Sequence, residues 1–159
     1  MAELAPKPGE LLWDLGAGSG SISIEWARLN DRNLVIALER DSQRLKNMKQ
    51  NISKFGLYDQ IEIIPADLPD IPNKLRTPDA VFIGGGVSEK LLKRIWKLSK
   101  PDARIVVNSV TLEAEQLLLK WNFLKGGSLT RINLSKADKI GKKMGWRTSM
   151  PILQWSIQK

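Results

Sequence analysis

Leu11-Leu12-Trp13-Asp14-Leu15-Gly16-Ala17-Gly18-Ser19-Gly20 is the stretch whose reading decides the fold. Apolar residues run into Asp14, and glycines stand at 16, 18 and 20. A buried strand turning sharply into a helix has this pattern, because glycine accepts the tight backbone and the first helical N–H groups are left facing a ligand.

Outward from that turn the chain alternates. Ile22, Trp26 and Leu29 fit one helical face over residues 19–29, and a helix is required there as the crossover before a parallel strand. Residues 34–38 are uniformly apolar, as in a strand covered on both faces, and they end at Glu39. Asp41 caps a helix carrying Leu45, Met48, Ile52 and Phe55, which Gly56 stops. A third strand over 61–64 leads through Pro65, Ala66 and Asp67 into a proline-rich connection, and a fourth over 79–83 ends in Gly84, Gly85 and Gly86. Ser88 then caps a helix, residues 104–107 form a fifth strand, and residues 112–124 a helix closed by Gly126 and Gly127. Residues 129–134 and 150–157 read as two last strands joined by a basic loop, and with no helix between them they should pair antiparallel. The expected fold is therefore α/β, a mostly parallel sheet closed by an antiparallel C-terminal hairpin, with residues 1–159 as one domain behind an extended lead-in over 1–10.

Composition narrows the chemistry. With 159 residues, no cysteine and no histidine, the chain has no thiolate nucleophile, imidazole base, disulfide or ordinary zinc site. We expect no metal. No apolar run nears the roughly 18 residues that span a bilayer, and no signal peptide opens the chain, so a cytoplasmic protein without membrane contact is expected. The net charge of +8 fits a polyanionic partner, and equally a generally basic surface.

The glycine turn has two enzymatic readings. A dinucleotide fingerprint would place its third glycine or alanine at position 21, where Ser21 stands, and Asp14 is unwelcome beside a pyrophosphate. A cationic cofactor suits Asp14 better. S-adenosylmethionine carries a sulfonium, an ammonium and a ribose but no phosphate. Asp14 with the amides of Gly16, Ala17, Gly18, Ser19 and Gly20 would hold its methionine part, and Glu39 its two ribose hydroxyls. Ala66 and Asp67 would border the adenine, with Gly84 completing the set, although Asp67 fits a solvated turn equally well.

Asp-Leu-Gly-Ala-Gly-Ser-Gly at 14–20, Glu39, Ala66-Asp67 and the closing hairpin resemble the class I, Rossmann-like S-adenosylmethionine-dependent methyltransferases, whose sheet has seven strands. Residues 12–28, Phe-Ile-Gly-Gly-Gly at 82–86 and Asn-Ser-Val-Thr-Leu-Glu at 108–113 resemble, more narrowly, the decarboxylating precorrin C15-methyltransferases of cobalamin biosynthesis. That resemblance implies methylation at C15 of a precorrin-6B-type tetrapyrrole with loss of carbon dioxide from the ring C acetate. It also implies a homo-oligomer, a tetramer in many members, and in many organisms fusion to a C5-methyltransferase domain. The nucleophile then belongs to the electron-rich macrocycle, so no protein catalytic residue is assigned.

For the substrate, Gly85 and Gly86 would leave room for a planar ring system, and Asn108, Ser109 and Thr111 would line the same edge. Thr111 reads equally well as a plain helix cap. Arg147, in the basic loop with Lys136, Lys139, Lys142 and Lys143, would meet substrate carboxylates, and a solvated loop is the other reading. An RNA methyltransferase is the competing activity, but the few aromatics fall mostly at core-facing positions and not among the loop cations, which disfavours nucleic acid. A non-catalytic subunit that keeps the fold is the third reading.

Overall fold

The computed structural model describes Met1–Lys159. Five strands, β1 (Leu11–Leu15), β2 (Leu34–Glu39), β3 (Ile61–Pro65), β4 (Ala80–Ile83) and β5 (Arg104–Ser109), run parallel. Helices α1 (Ser21–Arg28), α2 (Ser42–Phe55), α3 (Glu89–Leu98) and α4 (Leu112–Lys125) alternate with them. β6 (Ser128–Ile132) and β9 (Ile152–Gln158) complete a seven-stranded sheet in the order β3-β2-β1-β4-β5-β9-β6, with β9 antiparallel to both neighbours. The α/β fold with its antiparallel C-terminal pair is the one the sequence indicated.

Strand alternation sorts the core into two layers. Leu11, Trp13 and Leu15 of β1 pack with Leu91, Leu92 and Ile95 of α3 and Leu118 and Trp121 of α4. Leu12 faces the other way, toward Ile24, Trp26 and Ala27 of α1 and Met48 and Ile52 of α2. Side chains two apart share a sheet face, so each strand feeds both layers and reads as continuously apolar. Three helices begin at the residues expected to cap them: Asp41 accepts from Arg44 N (2.8 Å), Ser88 from Leu91 N (3.2 Å) and Thr111 from Ala114 N (3.3 Å).

Two expectations are corrected. The basic loop is a two-stranded arm, β7 (Ser135–Ile140) paired antiparallel with β8 (Lys143–Thr148), standing outside the main sheet. Its charged sequence hid the strands because neither packs on a core. The lead-in is likewise not merely extended: Ala2–Leu4 forms a 3-10 turn, Leu4 is buried, and Arg104 pairs with Glu10 and donates to the Leu4 carbonyl (2.6 Å).

Candidate active site

The glycine turn between β1 and α1 is fixed by its neighbours on both sides. Gly16 N and Ala17 N donate to the Leu38 carbonyl at the end of β2 (2.9 and 3.0 Å). Gly16 has φ +72°, and a Cβ there would lie 3.0 Å from the Gly85 carbonyl oxygen. The β1–α1 and β4–α3 loops thus touch backbone to backbone, which only a residue without a side chain permits.

Glu39 is nearly buried and spends its carboxylate on the backbone around it. Oε2 accepts from Gly18 N (2.9 Å), and Oε1 from Arg40 N and Asp41 N (2.9 Å each). A carboxylate offers about four acceptor sites, so one is left for a ligand hydroxyl on Oε2. The expectation that Glu39 takes both ribose hydroxyls requires one of these backbone bonds to lengthen or share.

Asp14 is fully buried beneath the turn. Position 14 shares its sheet face with Leu12, so the side chain enters the α1 layer, where Oδ2 accepts from Ser23 Oγ (2.5 Å) and Ser23 N (3.1 Å). Oδ1 has no protein partner. Burial raises its pKa from 3.8 to about 6, against the Ser23 hydrogen bonds that favour the charge and with a smaller push from Glu39.

A cavity of about 220 Å³ opens at the carboxyl ends of β1, β2, β3 and β4. Gly16, Glu39, Ala66, Asp67, Gly84, Gly85 and Gly86 all lie on its wall, with Arg40, Arg44, Leu38 and Leu68. Asp67 is engaged by Arg40 Nη1 (3.1 and 3.3 Å) at the exposed rim, an ion pair that sequence reading missed because the partners are 27 residues apart. Ala66 to Leu68 open the long connection that Arg94 pins through the Pro69 and Ile71 carbonyls and Asn73, while Trp13 Nε1 donates to the Arg76 carbonyl (3.0 Å).

A second cavity, about 510 Å³, shares Gly84, Gly85 and Gly86 with the first. Asn108, Ser109 and Thr111 line it, with Phe82, Val87, Val110, Ala114 and Ile152. Its volume falls in the ~300–1,000 Å³ range of small-molecule sites. The remaining candidates are elsewhere. Asp14, Ala17, Gly18, Ser19 and Gly20 lie in or beneath the turn and off the wall of either cavity. Arg147 is on the arm, paired with Asp138 (3.2 Å), and lines neither. Basic charge close in sequence to a site need not be close in space.

A family model described as precorrin methyltransferase domain matches residues 1–159. The chain belongs to the precorrin methyltransferase domain family. Among its relatives is a precorrin-6Y C(5,15)-methyltransferase (decarboxylating) of Sinorhizobium sp, 39% identical over 160 residues, covering 100% of this chain and 38% of that protein. The chain thus spans well under half the length of that relative. A probable cobalt-precorrin-6B C(15)-methyltransferase (decarboxylating) of Thermoplasma volcanium is 28% identical, with 94% of this chain and 77% of that protein covered. The crystal structure of the C-terminal domain of precorrin-6Y C5,15-methyltransferase from Rhodobacter capsulatus superposes with a TM-score of 0.93 at 43% identity, covering 99% of this chain and 85% of that one. The family takes the weight away from RNA as substrate.

Proposed function

We propose that this chain is an S-adenosylmethionine-dependent C-methyltransferase that methylates C15 of a precorrin-6B-type tetrapyrrole and releases the ring C acetate carboxyl as carbon dioxide, in cobalamin biosynthesis. The observation that carries the reading is the pair of cavities meeting at Gly84, Gly85 and Gly86, one walled by Gly16 at the head of the glycine turn and by Glu39, the other by Asn108, Ser109 and Thr111. The family match supplies the substrate class.

The residues fit the cofactor. Asp14 Oδ1 is a buried acceptor without a protein partner beneath the turn, a negative end that favours a cation bound above it, and Glu39 keeps one acceptor site for a ribose hydroxyl. Ala66 and Asp67 line the first cavity, where they would border the adenine. When bound, the cofactor supplies an electrophilic methyl group. The chain's own work is alignment: a strip of three glycines carries no side chain between the two cavities, so the reacting carbons can approach the roughly 3–3.5 Å of a near-attack geometry. Phe82, Val87, Val110 and Ile152 add apolar surface to the lining of the second cavity. The macrocycle carbon provides the electron pair, consistent with a chain that has no thiol or imidazole. Incubation with S-adenosylmethionine and precorrin-6B, read by mass spectrometry, should show one methyl gained and one carbon dioxide lost. An unchanged substrate mass in the presence of bound cofactor overturns the reading.

Two wider features belong to the same proposal. The length of the Sinorhizobium relative supports a 1–159 methyltransferase domain fused to a C5-methyltransferase domain in a longer protein. The arm supports a homo-oligomer: Ala137, Met144 and Trp146 share one of its faces with Lys139, Trp146 is 76% exposed, and Lys136, Lys143 and Arg147 share the other with Asp138 and Ile140. A second copy would cover Met144 and Trp146 and leave Lys136, Lys143 and Arg147 in solvent.

A further inference from the structure

Asn108 near the end of β5 lies directly opposite Gln154 of β9, and Gln154 Nε2 donates to Asn108 Oδ1 at 2.9 Å. Asn108 lines the second cavity; Gln154 does not. A primary amide has one accepting oxygen and two N–H donors. With the oxygen engaged by Gln154, the end of Asn108 left for the cavity is the NH2 group. The rest of the cavity agrees in polarity. Thr111 Oγ1 accepts from Ala114 N and keeps its own hydrogen to donate, and no Asp, Glu, Lys or Arg is among the lining residues. A cavity that offers donors and no competing carboxylate suits an anionic oxygen ligand, and with no cation in the wall the donors are neutral and the charge comes from the ligand.

We propose that Gln154 is a positioning residue that fixes the polarity of Asn108, so that the Asn108 NH2 donates to a side-chain carboxylate of the substrate. The proposal rests on the second cavity being the substrate site. It gives the site a specificity that shape alone would not: an uncharged ester or amide in place of that carboxylate loses the charge-assisted part of the bond.

The test is steady-state kinetics on three variants with the precorrin substrate, alongside calorimetric titration of S-adenosylhomocysteine and thermal unfolding. Gln154→Glu replaces the donor by an acceptor, turns the Asn108 NH2 toward Glu and presents Oδ1 to the cavity; KM should rise about ten- to a hundredfold, with kcat changing less. Gln154→Lys keeps a donor to Asn108 Oδ1 and should hold KM within about threefold of the parent. Asn108→Asp, with Gln154 intact, should raise KM at least as much as Gln154→Glu and keeps the test available if that variant does not fold. S-adenosylhomocysteine affinity should stay the same in all three. Equal KM in the Glu and Lys variants, whatever their melting temperatures, overturns the positioning role, because a purely structural hydrogen bond moves stability and not KM. If the parent binds S-adenosylhomocysteine but never turns over a precorrin, the proposed reaction falls, and this inference with it.

Discussion

Asp14 shows how one strand position is shared between folding and the proposed chemistry. The parity of β1 sends its side chain into the α1 layer, where Ser23 meets one oxygen and nothing meets the other. Because its folded pKa, about 6, lies above the ordinary 3.8, the native state holds the proton more tightly than the unfolded chain. This group therefore costs nothing below pH 3.8, and its cost grows as pH rises to about 6, reaching about 3 kcal/mol, since each unit is worth about 1.4. Asp14→Asn should remove that fall, flattening the pH dependence of the melting temperature between pH 4 and 6, while weakening S-adenosylhomocysteine binding measured at pH 7.5. A variant that melts with the parent's pH profile would refute the assignment. At Glu39 the carboxylate holds Gly18, Arg40 and Asp41 N–H groups as well as the proposed ribose. Glu39→Ala should cost about 1–3 kcal/mol of S-adenosylhomocysteine affinity by calorimetry; unchanged binding removes the ribose role.

Among the elements, the connection between β3 and β4 has little regular structure and still forms part of the wall of the first cavity, the proposed cofactor site. The Arg94 guanidinium on α3 pins it by donating to Pro69 and Ile71 carbonyls and to Asn73 Oδ1, so a helix on one sheet face sets the position of Ala66, Asp67 and Leu68. Arg94→Ala should cost about 1–2 kcal/mol of stability, speed limited proteolysis between residues 66 and 79, and weaken S-adenosylhomocysteine. Proteolysis at the parent's rate would show that the prolines alone hold the segment. Helix starts, by contrast, are local matters. Asp41, Ser88 and Thr111 cap their helices as their sequence positions indicate, and Thr111 does so while also lining the second cavity. The two readings of Thr111 are compatible, because its oxygen caps while its hydrogen is free.

At the scale of the whole molecule the charge is separated from the proposed chemistry. The basic arm stands outside the main sheet, Arg147 answers Asp138, and the second cavity carries no cation in its lining. An isolated two-stranded hairpin is marginal in water, so its exposed Met144 and Trp146 call for cover. In the proposed oligomer Trp146→Ser should lower the mass measured by light scattering to that of a smaller assembly, with S-adenosylhomocysteine affinity unchanged. An identical mass in parent and variant removes the arm as the contact.

The sequence by itself determined the β-α alternation, the glycine turn, the helix caps and the antiparallel ending. Each of these follows from side-chain period or from backbone demands within a few residues. The family motifs were legible for the same reason, being short runs of chain. Only the tertiary structure decided which surfaces converge. It brought Glu39, Asp67 and Gly84–Gly86 to one wall, drew Arg40 onto Asp67, took Arg147 away from the site, and set Gln154 against Asn108. Contacts between residues 27 or 46 apart depend on strand order and register, which the chain acquires only when the whole sheet is assembled.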